Sequence, residues 1–281
     1  MTRKEQQVSR LAPTPTPVVA GQLPDIKRSM LEFVSNTRLV GEPDCDILTG
    51  LAPDVRAAEM FLVSSEFALL INAAHGSMPD HTLSPHDPPS PSGLTLNANP
   101  VALDSSEAFG RFDGFAGWIW SVRETGVVLG PIWETREGWC KYFPLVMELP
   151  FGVPFSKFEE YAPGAPFHAS MLIAFWNILR QERVVEASDA EVPRSTRRRA
   201  ARERMPEPNV RVITLRRARS EPKDETANSR EWHHRWVVRG HWRRQWYASI
   251  EDHRPVWIAP HLKGPEDAPL LGGHKVYAAR K

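Results

Sequence analysis

Cysteine is scarce in this chain of 281 residues, which contains only Cys45 and Cys140. The two lie far apart in the sequence and form no C-x-x-C pair, which argues against a disulfide framework and against a cysteine-based zinc site. Because disulfide bonds are rare in reducing compartments, we expect a cytoplasmic protein with reduced cysteines.

Long apolar runs and common catalytic motifs are missing as well. No stretch of about 18 apolar residues is present, so we expect no membrane span. The N-terminal residues MTRKEQQVSRLAPTPTPVVAG contain no apolar core of a secretion signal. The motifs G-x-G-x-x-G, G-x-x-x-x-G-K-[ST], G-x-S-x-G and H-E-x-x-H are not found, so the common dinucleotide, P-loop, hydrolase and zincin classes have no support. We therefore predict no cofactor and no bound metal ion.

Positive and negative charges are distributed unevenly along the chain. Residues 194–281 contain 21 Lys and Arg against 10 Asp and Glu, a balance of +11, whereas residues 1–193 contain 14 against 24, a balance of −10. A basic region of this kind suggests an anionic partner such as nucleic acid. Alternatively, the acidic and basic parts neutralise each other across an internal interface.

The segment 231–247, EWHHRWVVRGHWRRQWY, separates into two faces when alternate residues are compared. This period of two is typical of a β-strand, in which successive side chains point to opposite sides. Because strands usually have about 5–6 residues, we expect a bend or bulge at Gly240. The aromatic face carries Trp232, His234, Trp236, Val238, Gly240, Trp242, Arg244 and Trp246, and the basic face carries His233, Arg235, Val237, Arg239, His241, Arg243, Gln245 and Tyr247.

The two faces lead to different expectations. The tryptophan face is predicted to be core that packs against helices, since each Trp buries about 150–250 Å². The basic face is either a phosphate-binding surface or ordinary solvated surface. On the first interpretation, the nucleic-acid-binding residues are Arg197, Arg198, Arg199, Arg235, Arg239, His241 and Arg243.

The order of predicted elements indicates an α+β fold, with a loop-rich mixed N-terminal region followed by a basic helix and an antiparallel sheet of about four strands. We expect a disordered arm at 1–25, an acidic mixed α/β region at 26–186 and a basic α+β region at 187–281. The predicted helices are a buried one at 55–74 between Asp54 and Gly76, one at 166–186 opened by Pro166, and the basic one at 194–205. The predicted strands are 118–122, 127–132 and 142–149, followed after a linker at 187–193 by the four strands of the basic sheet, 209–219, 231–247, 254–260 and 275–281.

Histidines near Asp80 and Asp87 form the first of two histidine groups. His75, His81 and His86 lie in a stretch rich in proline. The stretch is either a metal-binding loop or a flexible connector, and its prolines favour the connector.

The second histidine group lies in the basic region, close to several arginines. A histidine can act as a general acid or base, and an arginine can stabilise a reacting phosphate. A metal-independent ribonuclease would use His241, Arg239 and Tyr247. Alternatively, these residues bind RNA without chemistry, or they are sheet residues with ordinary hydrogen bonds. The group comprises His233, His234, His241, His253 and His261.

Three C-terminal segments have the most distinctive sequences in the chain, namely WHHRWVVRGHWRRQWY, HRPVWIAPHLKGPEDAPL and KVY. Together with the segments from 166 onward, they resemble a family of uncharacterised proteins encoded by actinobacteria and their phages. No activity is established for that family, so the resemblance assigns no catalytic residues. It implies a mobile-element or phage-adjacent setting.

Charge, periodicity and the basic strand together predict a non-enzymatic protein that associates with RNA or DNA. Two alternatives stay open, a toxin-like ribonuclease that needs no metal and a structural or protein-interaction module without a nucleic-acid role. The sequence assigns neither an enzymatic class nor an oligomeric state.

Overall fold

The computed structural model describes residues 17–36, 51–101, 114–135, 138–139, 146–216, 235–249 and 251–265. These residues belong to two compact units, Met1–Arg216 and Arg217–Lys281. The boundary that we expected from charge, after residue 186, lies inside the first unit. No helix in the described part of the chain is long and apolar enough to cross a membrane.

A mixed sheet of eight strands is the centre of the first unit. The strands are β1 (Glu59–Val63), β2 (Ser92–Val101), β3 (Gly114–Val122), β4 (Gly126–Thr135), β5 (Gly138–Trp139), β6 (Met147–Pro150), β7 (Val185–Asp189) and β8 (Val210–Leu215). Their order is β5-β4-β3-β2-β1-β8-β7, with β6 paired to β4. β1 is parallel to β2 and β8, and the other pairs are antiparallel. The α+β class is therefore confirmed, with a sheet larger than expected.

Both faces of β1 are buried under helices. Successive side chains of the strand point to opposite sides and therefore pack into different layers. Met60 and Leu62 pack into a core cluster that includes Met30 and Val34. Phe61, on the opposite side, stacks on Trp120 and meets the edge of Phe175. The helices are α1 (Leu23–Asn36), α2 (Ala52–Ala57), α3 (Ser65–His75), α4 (Ala165–Leu179) and α5 (Arg194–Arg202), with 3-10 turns at Ala20–Gln22 and Phe155–Glu160.

The predicted helix at 55–74 is wrong in its first half. The chain forms the short α2, then the buried strand β1, then α3. A strand buried on both faces has no polar side, so its apolar run resembles that of a buried helix. The start of α3 is set by Ser64, whose hydroxyl accepts a hydrogen bond from Phe67 N. Asp54, the expected cap, instead pairs with Arg123 at 2.6 Å.

The predicted helix at 166–186 and linker at 187–193 also need correction. α4 ends at Leu179, and residues 185–189 form the edge strand β7. Glu186 and Asp189 of this strand are exposed, so its polar sequence shows no alternating pattern. The basic helix is confirmed as α5, and the strands at 118–122 and 127–132 are confirmed within β3 and β4. Of the strand predicted at 142–149, residues 142–145 lie outside the described residues and residues 147–149 form part of β6.

The arm predicted at 1–25 is structured over the part that the structure describes. Val18 is buried, and its backbone N–H donates to the carbonyl of Ala98 at 2.8 Å. Helix α1 begins at Leu23, which is fully buried. The buried side chains of Val18 and Leu23, together with the hydrogen bond to Ala98, attach this segment to the sheet.

The second unit contains four strands in two antiparallel pairs. They are β9 (Trp236–Val238), β10 (His241–Tyr247), β11 (Asp252–Ile258) and β12 (His261–Lys263). β10 pairs with β11, and β9 pairs with β12. The predicted four-stranded basic sheet is therefore wrong, because β8 joins the large sheet beside β1. Residues 231–234 and 275–281, also assigned to that sheet, lie outside the described residues.

Lys27 is buried in the first unit although it carries an ammonium group. Only 5% of this residue is exposed, and its Nζ donates to the carbonyl of Ala58 at 2.6 Å. Burial, with a smaller contribution from the nearby charge of Arg56, lowers the pKa of Lys27 to about 8. The folded state therefore destabilises the protonated form of this side chain.

We expect the free energy of unfolding to rise with pH between about 8 and 10.5, because the folded protein releases this proton before the unfolded chain does. The penalty is fully present below pH 8. Lys27→Met removes it, so the difference between wild type and variant should change by on the order of 3 kcal/mol across this window. Denaturant titrations at several pH values measure it, with exposed Lys157→Met as the control. A constant difference would contradict the assignment.

Ser64→Ala should destabilise the first unit by about 0.5–2 kcal/mol, because the first turn of α3 loses the hydroxyl that accepts from Phe67 N. Urea unfolding compared with Ser188→Ala on the exposed edge strand measures the effect. Equal stability of the two variants would show that the cap contributes nothing.

Candidate nucleic-acid interface

The four strands of the second unit form one interrupted hairpin. Tyr247 pairs with Asp252 across the loop, and the same register continues to His241, which pairs with Ile258. Three residues further from the loop on each strand, Val238 pairs with His261, so β9 and β12 extend the ladder of β10 and β11 without a slip. The long strand predicted at 231–247 is thus present from Trp236 onward as two segments.

The interruption at Gly240 was predicted, and its cause is steric. A Cβ atom at this position would lie 2.4 Å from the ring of Trp257 and 3.1 Å from Pro260. Only glycine leaves room for the indole against the backbone. Trp257 is 4% exposed. It and Pro255 are the two buried residues among the described residues of this unit.

One face of the β10–β11 pair is basic. Residues that pair directly point to the same side, so His241, Arg243 and Tyr247 share a face with Arg254 of β11. His241 and Arg243 are exposed. The His241 ring contacts the carbonyl of Arg239 at 3.1 Å, and the Arg243 guanidinium donates to Gln245 Oε1 at 2.9 Å. The predicted residues His241 and Arg243 therefore lie on one face, and the exposed Arg239 precedes them in the chain.

The opposite face of the same pair is aromatic. Trp242 meets Trp257 edge to face, with ring centroids 5.3 Å apart. Trp246 meets His253 in the same manner at 5.0 Å, and 50% of Trp246 is exposed. Arg244 lies between the two pairs and is exposed. The predicted tryptophan core is therefore wrong for the described residues of this strand. Trp257, from the partner strand, occupies the buried position instead, and no described helix of this unit covers Trp236, Trp242 or Trp246.

The outer end of the hairpin adds one cation–aromatic contact. The ammonium group of Lys263 lies 6.0 Å from the ring centroid of Trp236. Val237 and Leu262, which pair on the other side, are 57% and 54% exposed. The described residues of the unit carry six Lys and Arg against Glu251 and Asp252, so their formal charge is +4.

The predicted residues of the basic helix belong to the first unit. Arg197 and Arg198 are exposed on α5. Arg199 is bound to Asp25 of α1, and Arg28 reaches Glu203 at 3.9 Å. Because Asp25 neutralises Arg199, this arginine is a contact between helices and a weaker candidate for phosphate binding than its two neighbours.

The residues proposed for a ribonuclease are not gathered around one point. His241 and Tyr247 begin and end β10. At about 3.4 Å per residue they are about 20 Å apart, whereas groups that act on one phosphate must each reach it by a hydrogen bond. The backbone carbonyl of Arg239 contacts the His241 ring at 3.1 Å.

The histidine-rich stretch at 75–93 is a connector held in place by hydrogen bonds. His81 Nε2 contacts Asp87 Oδ2 at 2.9 Å, and the buried Asp87 carboxylate also accepts from Ser84 N. His75 does not join the His81–Asp87 contact, because its ring lies beside the hydroxyl of Ser170 in α4. No group of three or more His, Cys, Asp or Glu suited to a metal ion occurs within the described ranges.

Arg254 and the Trp246–His253 pair were missed as candidate site residues. The sequence RPVWIAP indicated a strand at 254–260, but periodicity in one strand does not reveal its partner. The four-residue connection between Tyr247 and Asp252 would have revealed it, because a short loop between two strands favours a hairpin with fixed register.

No family model matches the chain, and the comparison with curated proteins finds no match. Among solved structures, "Crystal structure of AcrVA2" is similar with a TM-score of 0.42 and 14% sequence identity, over 84% of this chain and 85% of that chain. At this TM-score the likeness supports no inference about fold or function. The resemblance to proteins of actinobacteria and their phages stays a prediction.

Gly240→Ala should loosen the hairpin by about 1–3 kcal/mol, because the added methyl group overlaps the Trp257 ring. We expect faster hydrogen exchange of backbone amides in β10 and β11, measured by mass spectrometry on the full chain. Gly76→Ala is the matched control, since nothing lies within 4 Å of a Cβ atom there. Unchanged exchange in both variants would contradict the steric account.

Proposed function

We propose that this protein is a nucleic-acid-associated protein without enzymatic activity, and that the β10–β11 pair carries its phosphate-binding surface. The observation that supports this most directly is the basic face, where His241, Arg243 and Arg254 point to one side of a single hairpin. The scarcity of cysteine supports a cytoplasmic setting.

The spacing of the cations suits a charged backbone. Arg243 and Arg254 are diagonal neighbours across the two strands, because Arg243 pairs with Val256 and Arg254 with Gln245. Such neighbours have their Cα atoms about 7–8 Å apart, within reach of successive phosphates for side chains as long as arginine. The guanidinium group also presents several donors to phosphate oxygens in a fixed geometry.

The charge of the surroundings favours the same ligand. The described residues of this unit carry a formal charge of +4, and most of their cations are exposed. A net positive surface attracts polyanions. When a nucleic acid binds, it releases its condensed counterions, so the affinity falls as the salt concentration rises.

A ribonuclease is the alternative with the least geometric support, because His241 and Tyr247 lie about 20 Å apart. The two residues at the ends of β10 therefore cannot both reach a phosphate held by one arginine. Arg239, His241 and Arg243 are therefore assigned to binding.

The double variant Arg243→Gln/Arg254→Gln should bind RNA and DNA more weakly and with less salt dependence. The slope of log affinity against log salt concentration should fall in magnitude by about 0.7–0.9 for each phosphate that an arginine no longer neutralises. Fluorescence anisotropy with a labelled oligonucleotide measures this on the full chain, and exposed Arg183→Gln in the first unit is the control.

An unchanged slope in the double variant would contradict the proposal and leave the basic face as solvated surface. The oligonucleotide should also keep its full length during the titration in EDTA. Shortened RNA products would instead select the ribonuclease alternative.

A further inference from the structure

We propose that the aromatic face of the β10–β11 pair stacks on unpaired bases, so that the ligand is single-stranded nucleic acid. This inference rests on the proposed function and names its substrate class. It assigns Trp246, Arg244 and His253, none of which the basic-face prediction included, to the bound bases and their backbone.

Exposure of Trp246 is the first observation that carries the inference. Half of this large apolar side chain is in contact with solvent. Trp257, on the same face, is almost completely buried and already fills the space beside Gly240. Trp246 is therefore dispensable for filling the hairpin's interior, and its ring is available to a flat partner.

The second observation is the sequence of groups along this face. From the open end toward the loop, the face carries Trp242 packed on the buried Trp257, then Arg244 opposite the buried Pro255, then the Trp246–His253 pair. Aromatic rings that alternate with a cation are the usual components of a surface that binds single strands, where bases stack and the cation holds a phosphate. A guanidinium plane also stacks on bases.

The length of the face fits a short oligonucleotide. Trp242 and Trp246 are four residues apart on β10, or about 13 Å at the rise of a strand. Bases that follow one another at about 3.4 Å place roughly four nucleotides over this distance.

Consecutive arginines link the two faces. Arg243 points to the basic side and Arg244 to the aromatic side, so a cation is present on each face at the same point of β10. A flexible single strand can follow this edge with its bases on the tryptophans and its backbone toward Arg243. A duplex keeps its bases paired and offers the hairpin phosphates alone.

Two features distinguish a nucleic acid from the acidic N-terminal part of this chain as the occupant. Acidic side chains satisfy the cations but provide no planar rings for Trp246 and His253, whereas a single strand satisfies both. The formal charge of +4 on the described residues of the unit complements a continuous run of phosphates.

The test uses the full chain and four labelled probes of equal length, oligo(dT), oligo(rU), a mixed-sequence DNA duplex and base-free inorganic polyphosphate. Anisotropy gives the affinity of wild type, Trp246→Ala and Trp246→Phe for each probe. Hydrogen exchange of β10 and β11 in each variant establishes that the hairpin is intact. Comparison of oligo(dT) with oligo(rU) distinguishes DNA from RNA.

We expect wild type to bind the single strands more tightly than the duplex or polyphosphate. Trp246→Ala should weaken single-strand binding by about 5- to 150-fold, the range for loss of one stacked base, and should leave duplex binding within about twofold. Trp246→Phe keeps an aromatic face and should retain most of the affinity. Binding should also quench the part of the tryptophan fluorescence that Trp246→Phe removes.

Three outcomes would overturn the inference in different ways. Equal binding of all four probes, unaffected by Trp246→Ala, would reject base stacking and leave the phosphate-binding function standing. Equal weakening of single-strand and duplex binding by Trp246→Ala would assign that residue a structural role and reject the inference as well. Binding of none of the probes would reject the proposed function itself.

Discussion

The buried strand β1 determines where two elements of the basic part of the chain lie, the strand β8 and the helix α5. A strand with two apolar faces needs neighbours on each edge and helices above and below. β1 obtains them from β2 and from β8, which comes from the basic part of the chain. With β8 in the large sheet, α5 is held against α1 through Arg199 and Asp25. The hairpin is thereby left without β8 as a third strand.

This division explains why the hairpin has so little interior. A two-stranded hairpin is marginally stable by itself, and it gains stability only where side chains pack across it. Trp257 supplies that packing, seated over Gly240 and against Trp242. Arg239, Arg243, Arg244 and Trp246 are exposed at the hairpin's surface. A bound polyanion would stabilise the hairpin in proportion to the logarithm of its concentration over its dissociation constant.

Local patterns in the sequence predict local structure. They do not predict which distant segments pair as neighbouring strands. The alternation from Trp236 to Tyr247, the break at Gly240 and the basic helix are all present, since each depends on neighbouring residues. β1 was mistaken for helix because two-sided burial removes the polar face on which periodicity relies. The partner of β8 was missed because a six-residue strand with apolar residues fits a parallel or an antiparallel neighbour equally well. For the candidate site, the sequence pattern places His241 and Arg243 on one face of β10, and their role in binding stays a prediction. The positions of Arg254 and Trp246 relative to them become visible only once β10 and β11 are paired.

We propose that the hairpin spanning Trp236 to Lys263 is the surface that contacts nucleic acid. Photo-crosslinking can locate this contact, with a 4-thiouridine oligonucleotide bound to the full chain and the attachment sites mapped by mass spectrometry. We expect crosslinks at Trp246 or Tyr247 and at His253. Crosslinks confined to α5, or to any other part of the first unit, would contradict it.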